Sequence, residues 1–390
     1  MRPSVPLLFL ALSLAAAPLP AQFAQLERSA LAEPFRGVTV DGTPRPGLFG
    51  ITSTGVSTAP VKAAAEAFLA GLDATQRDAA TFAVDDEEWR RWANVHRYAR
   101  QGVAFRDMDQ RQRTLAFGLL QASLSAKGLQ LTRDIMRLNE TLAELTQRPE
   151  EYGEWLYWIT VMGTPSATEP WGWQLDGHHL VINYFVLGDQ VVMTPTFMGS
   201  EPVFAASGKY QGTRILEAHR NRGLALLDAL DATQRDLAIL DPQKTGNRNQ
   251  GEMFRDNVVI PVAGLRADRL DARQKQLLLA LIAEYVDNLP EGHAKVRMQE
   301  VQAHLDETHF AWMGGSDADS AFYYRVHSPV ILIELDHQTP VALPGERVPA
   351  RNHIHTVVRT PNGNDYGKDL LRQHLEQHRH DPAHGHDHAH

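Results

Sequence analysis

The segments F-Y-Y-R-V-H-S-P-V-I-L-I-E-L-D-H (residues 322–337) and R-N-H-I-H-T-V-V-R-T-P (residues 351–361) decide how the end of this chain folds. Both contain runs of β-branched residues, which favour strands. Because side chains alternate between the two faces of a strand, His353 and His355 point to the same side. If the segments pair as an antiparallel hairpin, Glu334 and Asp336 lie beside these two imidazoles.

This arrangement predicts a metal site. Two histidines from one strand and a carboxylate from its neighbour are a known way to hold a divalent metal with open positions. We predict that His353, His355 and Glu334 (or Asp336) bind a divalent transition metal, either zinc, copper or iron. His327 is then a fourth ligand or a hydrogen-bond partner of the ligands. The alternative is a polar sheet edge whose histidines only hydrogen-bond to neighbouring groups.

Four other residues near the hairpin are secondary candidates. Arg325, Arg359, Asp365 and Tyr366 could bind an anionic substrate or orient a ligand. Ion pairing at the surface is the alternative for these side chains.

An internal repeat organises the rest of the chain. L-D-A-T-Q-R-D at 72–78 recurs at 230–236, and three further matches follow in the same order in both halves. They are M-D-Q-R-Q (108–112) with L-D-A-R-Q (270–274), G-H-H-L-V-I (177–182) with V-H-S-P-V-I (326–331), and V-V-M-T-P (191–195) with V-V-R-T-P (357–361). Each half has helices first and antiparallel strands later. We predict an α+β fold in which two such units, residues 59–208 and 209–370, pack with pseudo-twofold symmetry.

The two halves separate shared architecture from specialised function. Motifs present in both are assigned to caps, turns and packing. His353 and His355 align with Leu187 and Asp189, so the H-x-H belongs to the second half alone. The second half also inserts a Pro-containing excursion, residues 338–351, just before the histidines. An insertion of that length indicates a functional flap.

One histidine position occurs in both halves, because His178 aligns with His327. A shared imidazole indicates either two related sites or one structural hydrogen bond, and the structural role is favoured. His179 has no counterpart, since Ser328 stands in its place. His178 and His179 are therefore secondary candidates for the metal site.

The ends of the chain differ from its middle. Met1-Arg2, the apolar run 7–17 and Leu19-Pro20-Ala21 predict a signal peptide, residues 1–21, and hence a secreted or periplasmic protein. Residues 22–58 are predicted to wrap the surface. Residues 371–390 are predicted to be a disordered His-rich tail that binds Zn, Cu or Ni loosely, and an expression tag is the alternative.

Composition excludes several classes of function. The 390 residues are 43% hydrophobic and carry a formal charge of −9, which argues against sequence-independent nucleic-acid binding. The absence of cysteine excludes disulfides, cysteine ligands and cysteine nucleophiles. There is no P-loop, dinucleotide fingerprint, H-E-x-x-H or G-x-S-x-G motif, and no segment suited to span a membrane.

Several of these motifs carry a family resemblance. R-V-H-S-P-V-I-L-I-E (325–334), N-H-I-H-T-V-V-R-T-P (352–361), N-D-Y-G (364–367) and the G-W-Q and G-H-H segments within 172–179 resemble the domain of unknown function 3500 family, a secreted family of bacteria and fungi. The resemblance covers roughly residues 55–375. It implies secretion and one duplicated unit, and it supplies no reaction and no site residues.

The sequence therefore predicts a secreted protein that binds a divalent transition metal. A metal-dependent hydrolase acting on a small-molecule substrate is the first hypothesis. The alternatives are a non-catalytic metal-capture protein, and a non-haem iron oxygenase with the same two-histidine, one-carboxylate ligand set.

Overall fold

The computed structural model describes residues 19–345 and 347–379. These residues form ten α-helices and thirteen strands, which confirms the α+β class. The predicted signal peptide falls almost entirely outside the described residues, as does the part of the tail after Arg379. The helices are α1 (Leu19–Leu31), α2 (Ala59–Gly71), α3 (Ala74–Ala80), α4 (Gln110–Ser123), α5 (Ala126–Thr146), α6 (Glu217–Asp228), α7 (Ala232–Ala238), α8 (Ala272–Val286), α9 (Glu291–Ala303) and α10 (Lys368–Arg379).

All thirteen strands belong to one mixed sheet. They are β1 (Thr81–Phe82), β2 (Val103–Ala104), β3 (Tyr157–Met162), β4 (Trp171–Gly177), β5 (Leu180–Leu187), β6 (Gln190–Val192), β7 (Thr196–Ser200), β8 (Ile239–Asp241), β9 (Leu265–Arg266), β10 (His309–Gly314), β11 (Phe322–His327), β12 (Leu332–His337) and β13 (Ile354–Arg359). The main order is β1-β3-β4-β5-β7-β13-β12-β11-β10-β8, with β2, β6 and β9 paired to β3, β5 and β10.

The same strand order occurs on both sides of the sheet. In the first half β1 runs parallel to β3 and an antiparallel β3-β4-β5 meander follows; in the second half β8 runs parallel to β10 and β10-β11-β12 follows. The two sides meet where β7 pairs with β13. We retain the internal duplication as a proposal, because two copies of one unit would produce this order.

Each half also contains a matched pair of helix starts. Asp73, Asp109, Asp231 and Asp271 cap α3, α4, α7 and α8, and each forms a capping box with the glutamine three residues later. The capping glutamines then bond to one another: Nε2 of Gln112 donates to Gln76 at 2.6 Å, and Nε2 of Gln274 donates to Gln234 at 2.7 Å. The repeated L-D-A-T-Q-R-D and D-x-x-Q motifs therefore join two helices in each half.

The two faces of the sheet are covered differently. Helices α2 to α9 lie on one face, where Ile354, Met198 and Leu180 join the main hydrophobic core. Loops and helix α10 cover the other face, where Val357, Phe197 and Val181 pack with the buried Trp89 and Trp92. The alternation of side chains along β5, β7 and β13 gives each face its own core.

The predicted hairpin at the end of the chain is confirmed. Strands β12 and β13 pair antiparallel, with Asp336 opposite His355 and Glu334 opposite Val357. The segment after them differs from the prediction. Helix α10 continues to Arg379 and buries Leu370 and Leu371, so residues 371–379 are helical rather than part of a tail. None of the helices in the described residues is long and apolar enough to cross a membrane.

Candidate metal centre

Three buried histidines meet on the loop-covered face of the sheet. The Nε2 atoms of His353 and His355 are 3.0 Å apart, and Nε2 of His179 lies 3.2 Å from the first and 3.0 Å from the second. The three rings are 3–7% exposed. The three Nε2 atoms point towards one another, so a lone pair on each would be directed at a common point.

His179 reaches this point from a tight turn between β4 and β5. Gly177 pairs with Leu180, so His178 and His179 form a two-residue hairpin loop. His179 adopts a left-handed backbone with φ of 61°, a conformation in which histidine is among the enriched non-glycine residues. Its carbonyl accepts from the N–H of Gly199 at 2.8 Å. This bond fixes the turn beside strand β7.

Gly199 lies beside His355 and leaves space for its ring because it has no side chain. The two residues face each other across the β7–β13 pair. A Cβ at position 199 would lie 2.4 Å from the carbonyl oxygen of Ile354 and 3.3 Å from Cδ2 of His355. A side chain there would therefore push the strand and the imidazole away from their present positions.

The spacing of the three nitrogens suits a metal ion. In tetrahedral zinc sites the Zn–N distance is about 2.0–2.1 Å, which places neighbouring ligand nitrogens about 3.3 Å apart. The separations of 3.0–3.2 Å observed here are close to that value. His179, His353 and His355 could therefore hold a metal ion with a fourth position left for another ligand.

Burial keeps two of the three imidazoles, those of His179 and His353, in the state that binds metal. It lowers the pKa of His179 well below its usual value, and the neighbouring His178, His355 and His353 lower it further. Burial also lowers the pKa of His353 well below its usual value, with a smaller contribution from His355. These rings are neutral at pH 7, so no proton has to leave before their nitrogens bind an ion.

The other ring nitrogen of two of the histidines has an oxygen partner. Nδ1 of His355 lies 2.7 Å from Oε1 of Glu252. Nδ1 of His353 lies 2.9 Å from the carbonyl oxygen of Thr339 and 3.6 Å from Oε2 of Glu201. When Nε2 binds a metal, Nδ1 carries the proton and donates to these oxygens, an arrangement typical of metal-bound histidines.

Burial opposes ionisation of Glu252, but other contacts outweigh it. Electrostatic attraction to the His355 ring, together with hydrogen bonds from His355, Asn249 and Asn94, holds the pKa of Glu252 below its usual value. The carboxylate beside His355 is therefore ionised at neutral pH and can accept the Nδ1 proton.

The predicted carboxylate ligands have other partners. Oδ2 of Asp336 accepts from the backbone N–H groups of Arg248 and Asn249, and Oδ1 lies 2.9 Å from Nζ of Lys244. Glu334 accepts from the N–H groups of residues 250 and 251 and from the hydroxyl of Tyr323. The structure does not place either carboxylate in the histidine group.

These two carboxylates instead fix the loop that carries Glu252. Their four backbone contacts cover residues 248–251, and Glu252 follows directly. The carbonyl oxygen of Gly251 also accepts a hydrogen bond from Nε of Arg359 at 2.8 Å. Glu334 and Asp336 therefore affect the histidines indirectly. They hold the segment that carries Glu252, whose carboxylate contacts His355.

Two other candidate histidines lie outside the group. His327 is at the far end of β11, opposite Leu332, and its two ring nitrogens have no hydrogen-bond partner among the described residues. The ring of His178 stacks on that of His179 with centroids 3.9 Å apart, and its Nδ1 contacts Oδ1 of Asn139 at 2.8 Å. The His178 ring thus packs against the His179 ring and is not directed at the other two histidines.

The four flanking candidates are buried rather than at the surface. Arg359 pairs with Asp365 at 3.1 Å and with Asp256 at 2.8 Å, and all three side chains are at most 3% exposed. The hydroxyl of Tyr366 donates to Asp256. Arg325 donates to the carbonyl oxygen of Pro261 and is also buried. These contacts of Arg359, Tyr366 and Arg325 join the loops to the sheet.

The sequence contained a signal for His179 that the comparison of halves could have used. His179 is specific to the first half, as the H-x-H is specific to the second. Glu252, Glu201 and Gly199 carried no such signal. They belong to distant loops and strands, and only the folded chain brings them to the histidines.

Residues 54–368 match the family described as "Protein of unknown function (DUF3500)", which confirms the resemblance. Searches of curated proteins and of solved structures gave no match. The matched region includes His179, His353, His355 and the carboxylates around them. The match extends over most of the chain, and the protein therefore belongs to the DUF3500 family.

Proposed function

We propose that this protein is a transition-metal protein whose ion is held by His179, His353 and His355. The observation that supports it is the convergence of three Nε2 atoms within 3.2 Å of one another in a buried site. Three imidazoles without a carboxylate ligand favour zinc or copper. They argue against the two-histidine, one-carboxylate iron site that the sequence had offered as an alternative.

Hydrolysis or hydration of a small substrate is the reaction that we propose for this centre. A zinc ion on three histidines keeps a fourth position for water and lowers its pKa to about 7. The protein's own part is to fix the three rings, with Glu252 and the Thr339 carbonyl oxygen accepting the Nδ1 protons. Because the rings are 3–7% exposed, a bulky polymer could not reach them.

A non-catalytic role in metal capture is the second candidate. The same burial favours it, since an enclosed ion exchanges slowly and meets few substrates. The His-rich sequence of residues 380–390 would supply a weaker binding region on the same chain. We also propose that the protein acts outside the cytoplasm, on the basis of the signal-like residues 1–21; N-terminal sequencing of exported protein should begin near Gln22.

Metal analysis of a chain that ends at Arg379 tests the proposal. We expect one tightly bound zinc or copper ion in the parent and none in His179→Ala. His327→Gln is the matched control, because it removes another buried histidine, one that the sequence had suggested as a ligand, and should retain the ion. Loss of the ion in His327→Gln but not in His179→Ala would contradict the proposed ligand set.

An activity measurement separates the two candidate roles. The zinc-loaded parent should hydrolyse p-nitrophenyl acetate faster than the His179→Ala variant at equal protein concentration. If the ion binds as expected and the two rates are equal, metal capture replaces hydrolysis as the proposed role.

A further inference from the structure

A cavity of about 250 Å³ lies on the opposite face of the sheet from the three histidines. Its floor includes Met198 of β7 and Thr356 and Val358 of β13. Thr356 follows His355, and neighbouring residues of a strand point to opposite faces. The sheet therefore separates the cavity from the metal centre, and the two are independent sites.

The cavity wall is mainly apolar. Helix α9 and the end of α8 form one side, and the N-terminal segment 48–54 forms the rim. Two hydrogen bonds link this segment to Gln190: Thr52 donates its backbone N–H, and the carbonyl of Gly50 accepts. The apolar lining includes Val191, Met193, Val286, Leu289, Ile331 and Leu370. Protein interiors are normally close-packed, so a cavity of this size indicates space for a bound molecule.

One buried polar side chain in the lining has an oxygen without a hydrogen-bond partner. Asn288 follows helix α8 and is 3% exposed. Its Oδ1 accepts no hydrogen bond from any residue that the structure describes. Its Nδ2 finds only the sulfur of Met198, at 3.7 Å. A buried amide oxygen without a donor is unfavourable, and a bound molecule with an N–H or O–H group would satisfy it.

The charged groups of the lining are already compensated. Arg297 pairs with Glu300 at 2.5 Å and also donates to the carbonyl oxygen of Val330. Burial lowers the pKa of His219 to about 4 and lowers the pKa of His293, so both rings are neutral at pH 7. An anionic ligand would find no free cation, and a cationic ligand would find no free carboxylate.

We propose that this cavity binds a small neutral molecule with an apolar body and one hydroxyl or amide N–H group that donates to Oδ1 of Asn288. A protein cavity of about 150 Å³ is known to hold benzene, so a volume near 250 Å³ suits a molecule of roughly ten non-hydrogen atoms. The amide selects for a donor, because an analogue without the donor leaves Oδ1 unpaired. The site does not depend on the metal centre.

Calorimetric titration of the full chain with three matched probes tests this proposal. They are 2-phenylethanol, ethylbenzene, which lacks the hydroxyl, and phenylacetate, which carries a negative charge. We expect the alcohol to bind at least tenfold more tightly than either of the others. Asn288→Leu should remove the preference for the alcohol over ethylbenzene, and Val296→Phe, which fills the cavity from α9, should weaken both.

Val262→Phe, a similar change on the exposed surface away from the cavity, should bind all three probes as the parent does. A circular dichroism spectrum and a melting temperature close to those of the parent show that each variant is folded. The proposal is overturned if the parent binds none of the probes, or binds phenylacetate as tightly as the alcohol. Unchanged binding by folded Val296→Phe would also overturn it, because the probe would then occupy another place.

Discussion

Nδ1 of His355 lies 2.7 Å from Oε1 of Glu252, although 103 residues separate them in the chain. The carboxylate can accept only if Nδ1 carries the proton, which leaves Nε2 free to face His179 and His353. One hydrogen bond therefore selects the tautomer that a metal ion requires.

Glu252→Gln should weaken metal binding without removing it. An amide keeps the shape but is a poorer acceptor than a carboxylate, and losses of 10–100-fold in metal affinity are typical of such changes. Competition with a chelator would measure the dissociation constant. Glu66→Gln on the exposed surface of α2 is the control and should bind as the parent does. An unchanged affinity in Glu252→Gln would mean that the carboxylate does not support the ligand.

Gly199→Ala should disturb the centre through the backbone. The added Cβ would lie 2.4 Å from the carbonyl oxygen of Ile354, so strand β13 has to move and His355 moves with it. We expect at least a tenfold loss of metal affinity and a lower melting temperature. Gly118→Ala is the matched control, because a Cβ there meets no atom within 4 Å on a helix, where alanine is favoured. That variant should be as stable as the parent or more so, with full metal binding.

The metal affinity of the chain ending at Arg379 should vary little between pH 8 and pH 6. Burial lowers the pKa of His179 and His353 well below 6.5, so protons compete with the ion for these two ligands only at more acidic pH. The free energy of unfolding of the metal-free protein should also decrease as the pH falls below about 6.5, because the unfolded chain then binds protons that these two buried rings do not. Affinity titrations at pH 8, 7, 6 and 5 check this, and a tenfold loss between pH 8 and 6 would contradict it.

Glu88 should make the fold less stable at alkaline pH. Burial, only partly offset by Arg91, raises the pKa of this carboxyl to about 8. Because the folded-state pKa lies above the unfolded one, the stabilisation is complete below about pH 4.5 and disappears as the pH rises through 8. Glu88→Gln cannot ionise, so its stability relative to the parent should rise from pH 5 to pH 8 by an amount on the order of a few kcal/mol. Urea unfolding at both pH values measures the difference; equal pH dependence in both proteins would refute it.

Removal of residues 380–390 should leave the tight site intact and reduce weak binding. This segment adds imidazoles and the carboxylates of Asp381 and Asp387 but no apolar side chain larger than proline or alanine. Copper titration of the full and shortened chains should show the same tight equivalent, with the loose equivalents only in the full chain. The melting temperatures of the metal-free proteins should agree, and a large difference would show that the segment docks on the fold.

The sequence predicted the part of the centre that depends on local pattern. Period-two alternation placed His353 and His355 on one face, and the antiparallel register opposite Glu334 and Asp336 is as expected. It could not show that both carboxylates are occupied by backbone amides of residues 248–251. Register specifies which residues face each other across a ladder, whereas a loop from elsewhere in the chain decides which of them stay free.

His179 illustrates the same limit from the other side. Its turn follows from a two-residue connection between β4 and β5, which local sequence can suggest. Its position beside the H-x-H depends on β7, which pairs with both β5 and β13 and joins the two sides of the sheet. The hydrophobic periodicity within either half gives no information about these strand pairings.

The ligands come from distant parts of the chain, since 174 residues separate His179 from His353. An ion held by the proposed centre would therefore be a reversible cross-link between residues 59–208 and residues 209–370. Because such an ion binds the folded chain and not the unfolded one, it should slow unfolding as well as shift its equilibrium. It would also set an order of events during synthesis. A growing chain presents His179 long before its partners exist, and it can retain the ion only after His355 has joined the finished sheet.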